Sequence, residues 1–193
     1  MSWIIQAAAD MSHPNRRAFQ GVLARVDEPS DTAPSGARSH RVILTKQAAL
    51  DALPSLIGMA LNCKLDFNGH NERSKCGVIT NAYLEGNKVI VDGYVYIKDF
   101  PEFKSITNQY PLGMSYELHN SHITDIGASV WTINKCTFTG AAVLYREKAA
   151  YRDTYFRLKG KNEKFIDYSP VISTEGLSLT ESSVVLSTVA SNS

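Results

Sequence analysis

Cysteine is scarce in this chain, and the three it has, Cys63, Cys76 and Cys136, are odd in number and widely spaced. With no Cys-x-x-Cys pair among them, a disulfide framework and a structural zinc site are both argued against, and a reducing cytosol is the natural compartment. Net charge is equally thin. Twenty basic against nineteen acidic residues leave +1, so no overall field calls for nucleic acid or an anionic membrane as a partner. Long apolar runs are missing as well. Trp3-Ile4-Ile5 has no basic flank and is too short for a signal peptide, and nothing later approaches the roughly 20 residues of a membrane span. The expectation is a soluble, intracellular protein with no membrane or nucleic-acid partner and no cofactor.

What is present suffices for one domain of ordinary size plus tails: 193 residues, 44% of them hydrophobic. Residues 1–17 read as an N-terminal arm with the turn signal Ser12-His13-Pro14-Asn15. Residues 18–158 form the domain. The stretch 159–193 is a Ser/Thr-rich tail or linker, disordered or docked on a partner, that begins with the charged hinge Lys159 to Lys164.

Within the domain, Phe19 to Val26 and His40 to Leu44 have strand character, separated by a loop rich in Pro, Ser, Gly and Asp. Thr45 is placed to cap a helix from 46 to 59, broken or ended at Pro54. Gly77 to Tyr83 and Lys88 to Ile97 make a hairpin about Glu85-Gly86-Asn87. A short helix follows from Asp99 or Pro101, with Phe100, Phe103, Ile106 and Thr107 on one side. Leu112 to Leu118 is a strand, Asn120 to Asp125 a polar connection, and Ser129 to Leu144 one or two further strands with a turn at Asn134-Lys135. Arg146 to Leu158 reads as a terminal helix. That order predicts an α+β, β-dominated domain, with a few helices on an antiparallel sheet.

The chemistry-bearing residues fall between Gly69 and Glu117. His70 follows a glycine just before the first hairpin strand, and Ser115 sits in Gly113-Met114-Ser115-Tyr116-Glu117. A serine hydroxyl becomes a nucleophile only when a base takes its proton, and the base works best when a third group orients it. His119 and His122 could form a metal pair, but no carboxylate or cysteine stands at ligand spacing, and a solvated loop is the better reading. Cys76, six residues after His70, reads as core rather than nucleophile, and His40 as a strand-end residue.

Several segments together resemble the prohead (capsid maturation) proteases of tailed phages, distant relatives of the herpesvirus assemblins. FQGVLARVDEPSD is similar to the family's opening strand, NGH followed by CGVIT to its histidine-plus-strand segment, LGMSYEL to its serine strand, and CTFTGAAVLYREKAAY to its closing strand. The match covers about Phe19 to Arg152. Its order, and the separation of 45 positions from His70 to Ser115, are more specific than any single motif.

The resemblance implies a small antiparallel β-barrel-like domain flanked by a few helices. It implies a serine endopeptidase with His70 as general base and Ser115 as nucleophile, acting inside the assembling prohead in the host cytoplasm. Phage scaffold and major capsid protein would be its substrates, and a homo-oligomer such as a dimer its state. The tail would be a self-cleavage substrate or a docking peptide. The family's third member is an acidic residue or a histidine on the closing strand. Thr139 stands there instead, with Asp125, His122 and Glu117 as alternative partners for the imidazole. A non-catalytic head protein that retains the protease fold is the competing reading.

Overall fold

The computed structural model describes residues 13–160; the expectations for 1–12 and 161–193 lie outside the described residues. The chain forms a strand-dominated α+β domain built on one eight-stranded sheet. Its strands are β1 (Arg16–Arg25), β2 (Arg41–Leu44), β3 (Ala60–Cys63), β4 (Lys75–Glu85), β5 (Lys88–Tyr96), β6 (Leu112–Ile123), β7 (Val130–Tyr145) and β8 (Tyr155–Leu158). Among the described residues two short α-helices, α1 (Lys46–Ala52) and α2 (Phe103–Gln109), accompany the sheet. The sheet runs β2-β7-β3-β4-β5-β1-β8, and β6 pairs with β7 beside this path.

The sixteen-residue β7 organises the arrangement. It pairs antiparallel with β6 along most of its length. The opposite edge is shared by two short strands running parallel to it, β2 against Val130–Ile133 and β3 against Ala141–Val143. Between them the chain steps out through α1 and a 3-10 turn at Leu53–Leu56, where the Ser55 hydroxyl accepts the Phe138 N–H at 2.9 Å. The antiparallel sheet expected from sequence is therefore mixed. A helix connecting β2 to β3 returns the chain in the same direction, as parallel pairing requires.

Thr45 caps α1 as expected, its hydroxyl accepting from Ala48 N at 3.2 Å. The hairpin β4–β5 turns at Gly86, whose φ of +60° suits glycine. The sheet also curls, bringing β6 over β1: a Cβ on Gly21 would run into the Met114 sulfur and stand 2.7 Å from the Tyr155 carbonyl. Inside the curl lies the main core, where Phe19, Phe103 and Phe156 pack ring against ring.

Five local expectations differ in the structure. Asn120–Ile123 continues β6, because the long partner strand satisfies backbone groups even though His119 to His122 are exposed on both faces. Asn134-Lys135 is no turn but lies within the unbroken β7. Residues 146–158 form a short 3-10 turn and then β8, which adds to the edge of β1. Here Asp31 accepts the Arg152 N–H at 2.7 Å, a tertiary partner that local helix propensity cannot reveal. Lys159 is no solvated hinge residue. It is 2% exposed and pairs at 2.9 Å with Asp92, itself 0% exposed. Arg16 and Arg17, placed in the arm by sequence, already pair with β5. No described helix is long and apolar enough to cross a membrane.

Candidate active site

Along a strand successive side chains point to opposite faces. In β6, Met114 is buried in the core and Tyr116 packs its ring against Phe138 and Tyr151. Ser115 and Glu117 therefore share the other face, with Cα atoms roughly 7 Å apart. Register places Ser115 opposite Ala142 and Glu117 opposite Gly140 on β7, while Asn62 of β3 flanks Ala142 from the far side. Only small residues could stand on β7 here. A Cβ at Gly140 would come within 2.7 Å of Glu117 Oε2, so the missing side chain is the space the carboxylate occupies. Under the same face, Ala142, Leu144 and Ala149 form a second, separate apolar cluster.

His70 arrives from the loop 64–74 between β3 and β4. The loop is anchored by Phe67, which is 2% exposed and packs edge-on to Phe103 at 5.2 Å, while its carbonyl accepts Tyr145 N at 2.9 Å. Asn71 N donates to Asn62 Oδ1 at 3.1 Å, tying the residue after His70 to β3. With the loop so held, His70 Nδ1 lies 3.0 Å from Glu117 Oε1. The same oxygen accepts from Asn62 Nδ2 at 2.6 Å.

An ionised carboxylate can only accept, so this contact favours the tautomer carrying its hydrogen on Nδ1 and leaves the Nε2 lone pair available to take a proton. His70, Ser115 and Glu117 line one cleft of about 720 Å³. Lys64, Glu72 and Lys148 contribute charge to its lining, and Val42, Trp131 and Ile133 an apolar wall. His40, beyond a strand-end role, stacks on Trp131 at 4.4 Å. The Ser115 hydroxyl makes no hydrogen bond among the described residues. Catalytic hydrogen bonds often close only when substrate is bound.

The structure thus brings His70, Ser115 and Glu117 to one cleft and sets Thr139, His122 and Asp125 apart. Thr139 is exposed on β7, at the irregularity where the Glu117–Gly140 pairing gives way to Leu118–Phe138. Its side chain makes no hydrogen bond among the described residues. His122 Nδ1 contacts Asn134 Oδ1 at 2.7 Å, and Asp125 accepts from Gly127 N at 2.8 Å, so both have partners elsewhere. Of the four candidates for the third position, Glu117 alone contacts the imidazole. Asn62 was not singled out by sequence. The parity of 115 and 117 on one strand, with glycine on the partner, is the signal that favours Glu117.

Burial shapes the protonation of the neighbours. Beneath the site the Tyr116 phenol is held well above its ordinary range by burial and then by the Tyr151 phenol beside it. Cys63 and Cys76 bracket the His70 loop as buried free thiols. The contact with Cys63 is the largest cause raising the Cys76 thiol, with burial adding to it. The Cys76 thiol also lies 3.4 Å from the Leu61 carbonyl, and a proton held this way makes it core rather than nucleophile. Among the described residues no cluster of three or more His, Cys, Asp or Glu could hold a metal ion.

No family model and no curated protein matches the chain. Among solved structures, it is similar to the KSHV protease in complex with a hexapeptide phosphonate inhibitor, with a TM-score of 0.47 and 10% identity. That match covers 75% of this chain and 65% of the KSHV chain, so the likeness spans just under two thirds of the viral protein. It is also similar to the bacteriophage T4 capsid assembly protease, with a TM-score of 0.41 and 12% identity, covering 67% of this chain and 98% of that one. Both neighbours belong to the groups that the sequence resembles.

Proposed function

We propose that this chain is a serine endopeptidase of phage head maturation, with Ser115 as nucleophile, His70 as general base and Glu117 as the carboxylate that orients the imidazole. The observation that carries the reading is the meeting of these three residues in one cleft, with Glu117 Oε1 at 3.0 Å from His70 Nδ1. In the reaction His70 Nε2 takes the Ser115 proton as Oγ bonds to the scissile carbonyl carbon. The resulting oxyanion is met by N–H donors around the cleft. Collapse breaks the C–N bond, and the leaving amine takes the proton from His70. Water then repeats the sequence on the acyl-enzyme, releasing the acid and restoring Ser115. Glu117 offsets the charge of the imidazolium formed at each stage, which the Thr139 hydroxyl could not do.

The substrates proposed are scaffold and major capsid protein within the assembling prohead in the host cytoplasm, with the chain's own tail as a further target and self-association as a dimer or larger homo-oligomer. The test is labelling of the full-length chain by a fluorophosphonate. Wild type should be modified at Ser115, while Ser115→Ala takes no label and His70→Ala labels slower by several orders of magnitude, up to about 10⁶-fold. Absence of label on folded wild type would refute the enzyme and favour a head protein that keeps only the fold.

A further inference from the structure

Asn62 stands outside the three proposed catalytic residues yet touches both halves of their arrangement. It is 0% exposed, on β3, in the cross-strand row that joins it through Ala142 to Ser115. A buried amide is costly unless both of its ends find partners, and here both ends are spent on the site. Nδ2 donates to Glu117 Oε1 at 2.6 Å, the oxygen that also faces His70, and Oδ1 accepts the N–H of Asn71 at 3.1 Å. Asn71 relays this hold into the loop, its own Oδ1 accepting from Arg73 N at 3.2 Å and its carbonyl from Ser74 N at 2.9 Å.

Resting on the serine-peptidase reading above, we infer that Asn62 is the positioning residue of the site: a single buried amide fixes the Glu117 carboxylate in the rotamer that meets the imidazole and fixes the loop that delivers His70. The task needs a donor at one end of a short side chain and an acceptor at the other. Aspartate would keep the acceptor for Asn71 but set a carboxylate against the Glu117 carboxylate. Leucine would fill the volume with neither group, and serine is too short to serve both partners.

The experiment uses the full-length chain and a fluorophosphonate, separating the maximal labelling rate from the concentration dependence. Asn62→Ala and Asn62→Asp are compared alone and combined with Glu117→Gln, and the histidine tautomer is read from ¹H–¹⁵N spectra. Asn62→Ala should lower the maximal rate by about 10²-fold, the upper range for groups that orient a functional side chain, with half-saturation changed less than about twofold. Asn62→Asp, which keeps size and the Asn71 contact, should lose at least as much while remaining folded.

In the Glu117→Gln background either change should cost less than about threefold, since residues acting as one unit are non-additive. His70 should then populate both tautomers. Labelling within about threefold of wild type, or a loss that multiplies fully with that of Glu117→Gln, overturns the inference. Should Asn62→Ala fail to fold, Asn62→Asp decides. If folded wild type takes no label, the peptidase reading has failed instead. The His70 tautomer in Asn62→Asp, which needs no label, then decides separately: an unchanged tautomer rules Asn62 out as the group that orients the imidazole.

Discussion

Replacing Gly140 by alanine should silence the site while sparing the fold. The added methyl would stand 2.7 Å from Glu117 Oε2, 3.5 Å from its Cδ and 3.2 Å from the Ala60 carbonyl oxygen. Relief of the closest contact requires the carboxylate to withdraw by roughly 0.5–1 Å. Glu117 sits at the far end of a flexible side chain, so this motion is cheap in stability. Overpacking of this kind costs about 1–3 kcal/mol, and the low end applies. For a chain of this size that is a fall in Tm of about 2–4 °C. The catalytic cost is far larger, because the bond at risk is the 3.0 Å contact between Glu117 Oε1 and His70 Nδ1. Stretched beyond roughly 3.5 Å it ceases to be a hydrogen bond. The fluorophosphonate labelling rate should fall by about 10²- to 10⁴-fold, the upper bound being loss of a triad's third member. Circular dichroism and a thermal melt measured beside the labelling rate separate the two effects. A folded Gly140→Ala protein that labels at the wild-type rate would refute the reasoning, because the carboxylate would then need neither this space nor this contact.

The third position can be assigned by direct comparison: Thr139→Val should change the labelling rate by less than about twofold, whereas Glu117→Gln should cost about 10⁴-fold, and the reverse order would return the role to Thr139. The buried Lys159–Asp92 pair, 2.9 Å apart and joined by Gln20 Nε2 at 3.2 Å, should cost about 3–5 kcal/mol when either partner is removed alone. The double change Asp92→Leu with Lys159→Met should recover most of that in urea unfolding, and equal losses for single and double variants would count against an ion pair. Alkaline pH should destabilise the domain, because burial raises the Tyr116 and Tyr151 phenols and lifts the Cys136 thiol to about 11. Each is an acid that keeps its proton to higher pH when folded, so the stability is intact below the unfolded values near 9 and 10. It is lost above them by about 1.4 kcal/mol per pH unit for each group. Urea titrations on either side of that window should show the slope, and Tyr116→Phe should flatten it.

That His70 and Ser115 share one cleft is more legible in the sequence than the contact between His70 and Glu117. His70 and Ser115 were legible because each sits next to a strand with clear alternation and a glycine, and the hairpin between them has its turn written in Glu85-Gly86-Asn87. The Glu117–His70 contact is not legible from family position, because Gly140 has no side chain to announce that a carboxylate from the neighbouring strand fills its place. β3 leaves little trace in the sequence because four residues, Ala60–Cys63, carry too little periodicity to stand out. The 146–158 segment misled for a different reason: its residues have helical composition, while Ala149, Ala150 and Tyr151 are buried against other parts of the domain. Lys159 looked solvated because nothing local hints at Asp92, which lies on β5, the other neighbour of β1. In each case a distant partner outweighed the local signal.

The shared edges of β7 also set a schedule. Until residues 130–145 leave the ribosome, β2 and β3 lack the long strand that joins them, and β6 has no ladder at all. Pairing of this range is slow, because loop closure must precede the contacts that reward it. Chains truncated before Val130 should therefore lack the dispersed spectra of the folded domain and take up no fluorophosphonate. A nascent chain that exposes Ser115 exposes an ordinary serine, and on the peptidase proposed above the growing polypeptide is shielded from its own chemistry until the last long strand is in place.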